Sequence, residues 1–246
     1  MIPVEHLGHD GGPAQTSYHP SQRRPQDAST LILVDFAQES PRVLMGRRHQ
    51  RHAFMPGKFV FPGGRVDPPD GRTPVFGTFA AHVERQLLTK IARPSPTRAR
   101  ALALAAVREL AEETGLLLGS RDAGAPNAHT ENWALFAKAG VFPTLDGVAL
   151  IARAITPPGR PRRYDTRFFA ADASLVGGRV EGLIGPDKEL VETAWVTLEE
   201  TSELDLPDIT RRVLSELAAR LRFGLDRDMP VPFFRPRGET LHREEI

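Results

Sequence analysis

Residues 107–116, Val107-Arg108-Glu109-Leu110-Ala111-Glu112-Glu113-Thr114-Gly115-Leu116 (VRELAEETGL), decide how the rest of this chain is read. The carboxylates of Glu109, Glu112 and Glu113 recur at spacings of three and four, so on an α-helix they share one face. Leu104, Val107, Ala111 and Leu118 fall on the far side. Gly115 reads as a C-cap, which puts the acids in the last turns, where the helix dipole is negative. Each acid there costs roughly 0.3–1 kcal/mol, and the acids also repel one another. Stability alone would place lysine or arginine here. A divalent cation reverses the penalty, because hard cations take clustered carboxylate oxygens.

The plain alternative is a solvated acidic face, the usual fate of a Glu-Glu pair. Two features count against it. The preceding run, Ala101 to Val107 (ALALAAV), has no polar side chain, which predicts a helix covered on most sides. Arg108 stands four before Glu112, placed to orient that carboxylate, and Phe61-Pro62-Gly63-Gly64 lies upstream.

At 246 residues the chain is long enough for one large domain or two small ones with a real core. Its formal charge of +1 gives no reason to expect nucleic acid or an anionic membrane as partner. Arginine outnumbers lysine, which stands only at Lys58, Lys90, Lys138 and Lys188; arginine forks suit phosphate, but a GC-rich genome explains the bias as well. With no cysteine, disulfides, zinc–thiolate sites and cysteine nucleophiles are excluded. No apolar run approaches the roughly 18–20 residues of a membrane span. MIPVEHLGHDGG lacks a basic head followed by an apolar core, so a cytoplasmic protein is the default expectation.

Residues 1–28, rich in Gly, Pro, His and Ser, read as a flexible arm, and His6, His9 and His19 fit no usual ligand spacing. Strands are expected at Thr30–Phe36, Val43–Arg47 and Phe59–Phe61, with a basic loop over 47–58. After a loop at 66–71, the spacing of Phe76, Phe79, Val83, Leu87, Leu88 and Ile91 predicts a helix over 76–91. Pro94 and Pro96 end it, with Thr97 as N-cap of the acid-bearing helix. A further helix at Glu131–Ala139 precedes two strands, Val148–Thr156 and Tyr164–Ala171, joined at Pro157-Pro158-Gly159. A strand at Leu190–Leu198 and an amphipathic helix from Asp208 follow, and residues 226–246 read as an extended tail. Strands and helices mixed without strict alternation place the chain in the α+β class, as one domain over 29–225 with an insertion at about 68–97.

Phe61-Pro62-Gly63-Gly64 followed by Arg108-Glu109-Leu110-Ala111-Glu112-Glu113-Thr114-Gly115-Leu116 resembles the Nudix hydrolases, whose box reads GX5EX7REUXEEXGU with U aliphatic. The second half matches at every defined position. Gly64 and Arg108 lie 44 positions apart, where an uninterrupted box has 14, so about 30 residues are inserted. The position seven residues ahead of the Arg-Glu pair, which the box gives to its first glutamate, is Arg100; either the insertion displaced that acid or the chain lacks it. An interrupted box, with FMPGKFVFPGGRVDP before it and RRYDTRFF later, resembles the Nudix-19-like subgroup, which includes diphosphatases of coenzyme A and its esters.

The resemblance implies the Nudix fold, an α/β/α sandwich around a mixed β-sheet, and a cytoplasmic enzyme that hydrolyses a nucleoside diphosphate derivative, coenzyme A being one candidate. It implies Mg²⁺ or Mn²⁺ held by Glu109, Glu112, Glu113 and the carbonyl of Gly63, with Arg108 orienting the acids. Glu189 is the choice for a further base or ligand, with Asp187 and Glu192 as rivals. Arg47, Arg48 and Arg51 are candidates to grip phosphate. Nudix proteins often pair, so a homodimer is also an expectation, and neither nucleic acid nor membrane is expected as partner. Phe76 and Phe79 read as packing residues and His82 as a polar-face residue. The alternative function is a catalytically silent nucleotide-binding module; prenyl-diphosphate isomerisation on the same fold is set aside, because that class uses a catalytic cysteine.

Overall fold

The computed structural model describes residues 24–51, 55–126, 131–237 and 240–246; most of the arm and its three histidines lie outside them. The first half of the chain runs β1 Gln26–Asp35, β2 Arg42–Arg48, β3 Phe59–Val60, β4 Gly63–Arg65, α1 Ala81–Leu88, α2 Pro96–Thr114 and β5 Leu116–Ser120. Then come α3 Ala134–Ala139, β6 Phe142–Pro143, β7 Ala149–Ile155, β8 Tyr164–Asp172, β9 Val176–Arg179, β10 Leu190–Thr197, α4 Asp208–Leu221, β11 Pro232–Arg237 and β12 Thr240–Glu245.

The period-two pattern of β1 explains the layers. Leu31 and Leu33 enter the core under α2, while Ile32 and Val34 enter a second core under α4. All four are fully buried, as expected of a strand covered on both faces. The main sheet runs β10-β2-β1-β8-β7-β11-β12, with β3 on β2 and β4 on β1. It is mixed: β1 lies parallel to β8 and antiparallel to β2 and β4. A small sheet, β6-β5-β9, stands apart. Helices α1, α2 and α3 contribute to one core and α4 to the other, so the architecture is an α/β/α sandwich of the α+β class. Among the described residues no helix is long and apolar enough to cross a membrane.

The acid-bearing helix starts at Pro96, not after Thr97. Pro96 occupies the first helical position, where its missing N–H is no loss, and Ser95 is the cap: its Oγ accepts from Arg98 N–H at 3.2 Å. Gly115 ends the helix at φ 77°, and a Cβ there would sit 1.9 Å from the Val180 carbonyl oxygen, so only glycine fits.

Two other expectations are corrected. The helix expected over 76–91 covers only Ala81–Leu88, because Gly77 takes φ 68° and Phe76 is instead bonded to the β6 segment. Phe79 packs as expected, but Phe76 is 53% exposed. Residues 226–246 are extended, yet they are no free tail: β11 and β12 form a hairpin and β11 adds to the sheet beside β7. The insertion docks on this segment through Arg85–Asp228 (2.8 Å), Lys90–Glu244 (2.9 Å) and Gln86 Nε2 to the Met229 carbonyl (2.8 Å).

This docking predicts a stability effect far from the acids. Phe233 is buried, with the Arg153 guanidinium 4.2 Å from its ring centre. Phe233→Ala is expected to cost about 3–5 kcal/mol and lower the melting temperature by roughly 6–20 °C. An unchanged melting curve would mean that the hairpin is not part of the cooperative unit.

Candidate active site

The last two turns of α2 bring their acids against the Gly63-Gly64 strand. Glu113 is 6% exposed, and its Oε2 accepts from Gly63 N–H at 3.3 Å. The Glu109 carboxylate lies over Gly64, where a Cβ would fall 2.3 Å from Oε1. Gly63 is required for a different reason: its Cβ would meet the Ser29 carbonyl oxygen of β1 at 2.6 Å. Sequence and site are therefore linked twice. One glycine lets β4 close on β1, and the next leaves room for a carboxylate.

Behind the acids lies Arg108, whose side chain is 2% exposed. Nε and Nη2 donate to the two oxygens of Asp70 at 2.9 and 3.2 Å, and Nη2 also donates to the Arg65 carbonyl at 2.8 Å. Nη1 donates to Glu109 at 2.8 Å and Glu112 at 3.0 Å. Five N–H donors thus meet five acceptor contacts. Asp70 is completely buried and takes a further bond from Asp67 N–H at 2.9 Å. Burial opposes the charge on Arg108, but its bond to Asp70 and the negative Glu109, Asp70 and Glu112 outweigh it, so its pKa is raised.

Asp70 answers the question of the first box acid. Counting forward from Gly64, five residues (Arg65 to Pro69) bring the chain to position 70, where the box has glutamate and this chain has aspartate. The insertion follows that position, so counting back from Arg108 to Arg100 missed it. Arg100 instead donates to the Thr73 carbonyl at 2.8 Å.

Glu189 also reaches the cluster. It neighbours Glu113, and its Oε1 accepts from Arg48 Nη2. Its rivals differ in contact and not in exposure: Glu192 is bonded to Arg47 at 2.6 Å at the surface, and Asp187 is exposed, as Glu189 is, but Glu189 is the one that neighbours Glu113. Arg51 is exposed, with its backbone N–H on His49 Nδ1 at 2.9 Å. Arg48 is thus joined to the acids directly, whereas Arg47 is joined to the rim.

The electrostatics are those of acids crowded together in a poor solvent. Burial pushes Glu109 up to about 7 against the pull of Arg108. Glu112 is raised by burial too, and Glu113 well above the usual carboxylate range, first by burial and then by Glu189. As the side chains stand, no three acids or histidines among the described residues converge on one point at ligand distance. Arg108 holds Glu109 and Glu112, and Arg48 holds Glu189. The donor chemistry nevertheless fits a hard divalent cation: carboxylate oxygens only, with negative charge in excess and glycine leaving the space open.

Two outcomes follow. Asp70→Ala strands a buried guanidinium and is expected to cost about 3–5 kcal/mol, whereas Arg100→Ala removes one bond and costs about 1 kcal/mol; chemical denaturation compares them. Equal effects would leave Asp70 without its special place. The second outcome concerns pH. A carboxylate raised in the folded state adds stability below its unfolded pKa, and that stability is lost as pH rises through the folded value. In chelator, calorimetry should therefore show a melting temperature that rises as pH is lowered from about 8 towards 5, with a flatter response for Glu109→Gln. A fall over that window would reverse the assigned cause.

No protein-family model matches the chain. Among solved structures, the NUDIX hydrolase from Alicyclobacillus acidocaldarius is 28% identical, with 81% of this chain and 93% of that one covered and a TM-score of 0.59. The NUDIX domain of Shewanella oneidensis NrtR complexed with ADP ribose is 12% identical over 81% and 90% of the two chains, at a TM-score of 0.46. The MutT protein from Methanosarcina mazei is 16% identical over 82% and 99%, at 0.43. These last two are too distant to carry an argument. The mixed sheet between helices, the carboxylate helix and the likeness to the Alicyclobacillus enzyme agree: the chain has the Nudix fold and is an enzyme of the Nudix hydrolase kind, splitting diphosphates.

Proposed function

We propose that the chain is a divalent-metal-dependent diphosphatase acting on a nucleoside diphosphate derivative, with coenzyme A or its esters as the first candidates. The observation that carries it is the gathering of Glu109, Glu112, Glu113 and Glu189 at the C-terminal end of α2, beside Gly63-Gly64. With Asp70, five carboxylates face two guanidiniums, Arg108 and Arg48, from buried Asp70 and Glu113 out to exposed Glu189. Cations of the Mg²⁺ or Mn²⁺ type make up the missing positive charge.

Glu109, Glu112 and Glu113 would hold the ion, with the Gly63 carbonyl as an added donor. When bound, it neutralises diphosphate oxygens and lowers the pKa of water. Arg108, fixed by Asp70, keeps Glu109 and Glu112 in one orientation, so little rearrangement is needed when substrate arrives. Glu189 takes the proton from the attacking water. Arg47 and Arg51, at the exposed rim, offer forked donors to phosphate oxygens. The silent-module alternative draws on the altered first half of the box, and Asp70 beside Arg108 weakens that support.

Coenzyme A rests on the subgroup resemblance, and one half of that signature has another explanation. In RRYDTRFF, Asp165 pairs with Arg153 (2.6 Å) and Arg167 with Asp27 (2.8 Å), so these residues are accounted for by packing. The candidate therefore leans on the stretch before the box.

A screen of nucleotide sugars, dinucleotides, ADP-ribose and coenzyme A esters, with and without metal, tests the proposal. Turnover is expected to need Mg²⁺ or Mn²⁺ and to collapse in Glu112→Gln and Glu113→Gln, while Glu189→Gln slows it by about 10²–10⁴-fold. Coenzyme A would release a phosphopantetheine fragment and an adenosine bisphosphate. Binding without turnover across the screen would favour the silent module. Cleavage of ADP-ribose but not coenzyme A would remove the subgroup alone.

A further inference from the structure

We propose that Arg48 is a positioning residue: its guanidinium holds the Glu189 carboxylate beside Glu113 and does not grip substrate. The inference rests on the role given above to Glu189.

The main chain at Glu189 is fixed without Arg48. The Glu189 carbonyl accepts from His49 N–H at 3.0 Å. The next residue, Leu190, is fully buried against Gly46, where a Cβ would fall 2.4 Å from Leu190 Cδ1. The side chain is long and exposed, shares a hydrogen bond with Glu113 and is repelled by Glu109. Arg48 adds a pull of opposite charge from the side of β2. Strand pairing sets it across from Leu190, one residue from its partner, and Nη2 donates to Glu189 Oε1.

Burial separates the neighbouring arginines. Arg47 and Glu192 have side chains 39% and 49% exposed, a pair that solvent screens and an incoming phosphate can exchange. In the Arg48–Glu189 pair the two side chains are 11% and 41% exposed, so its arginine, unlike Arg47, is withdrawn from water and from an incoming phosphate. Two adjacent arginines of one strand end thus divide the work.

The test uses the full chain and the best substrate from the screen. Arg48→Gln is expected to lower kcat by about 10- to 100-fold with KM held within about twofold. On a Glu189→Gln background the same substitution should add less than about a twofold loss, because its partner is already neutral. Arg48→Lys keeps the charge but loses the fork, and should recover part of kcat. A raised KM with kcat kept, or losses that multiply in the double variant, overturns the proposal and returns Arg48 to the substrate. A crystal structure of Arg48→Gln, or of Arg48→Lys should the first not fold, needs no turnover: Glu189 is expected to leave Glu113, and a carboxylate that stays overturns the proposal. If wild type cleaves no diphosphate, the functional reading fails by itself, and the place of Glu189 in that structure still decides the role of Arg48.

Discussion

A guanidinium with almost no contact with water must satisfy every donor inside the protein, and Arg108 does so with five bonds to Asp70, Arg65, Glu109 and Glu112. Those bonds reach three separate parts of the chain: the strand that carries the glycines, the turn after it, and the helix itself. Removing any one leaves a buried charge short of a partner, which costs far more than an ordinary hydrogen bond. The pair therefore acts as a fastener that sets the helix against the glycine strand before any ligand is considered. The acids on the other side of Arg108 inherit their positions from it.

The same fastener explains how the chain tolerates some 30 extra residues in the middle of its motif. The neck of the insertion is closed. Gly71 lies against Thr97 and Ala101, and Arg100 is bonded to the Thr73 carbonyl. Because both ends are held at α2, the cost of the added loop grows only slowly with its length. Farther out, the insertion uses partners beyond the helix. Arg153 donates to the Thr89 and Lys90 carbonyls, and Lys90 reaches Glu244. Insertion and C-terminal hairpin thus stabilise one another, away from the acids.

What could be read from the residues was whatever local chemistry dictates. Three acids at helical spacing, a glycine cap and a polar-free run fixed the face, the end and the burial of α2. The unbroken apolar run of Leu31 to Val34 located the central strand, buried on both faces. What escaped depends on contacts between distant residues. Asp70 is 38 positions from Arg108, and its place could be found only by counting from the glycine. The hairpin was hidden because its prolines, Pro232 and Pro236, argue against a strand, while β7, which pairs with it, lies far back in the chain. Thr97 suits an N-cap by residue type, but Pro96 fits the first helical position and so moves the cap back to Ser95. Glu189 was chosen from a list of three acids, and only the register of β10 on β2 brings it beside Arg48.

Buried charge has two uses in this molecule, and telling them apart narrows where specificity resides. From Arg98 through Asp27, Arg167 and Asp165 to Arg153, alternating charges run beneath the insertion, each arginine ending on a carboxylate or a carbonyl. Charge there leans positive, three arginines to two aspartates, with carbonyls taking further donors, and the network ties β1, β7 and β8 to the insertion. At the end of α2 the balance is reversed, since carboxylates outnumber arginines. Only this second, acid-rich and unbalanced cluster has carboxylate oxygens to offer a cation. On the proposed function, substrate choice then falls to the groups at the rim of the unbalanced cluster. Arg47, Arg48, His49, Gln50, Pro186 and Val191 line a cavity of about 300 Å³ there. If Arg48 is tied to Glu189, the remaining donors of that cavity, and Arg47 above all, are what distinguishes one diphosphate ester from another.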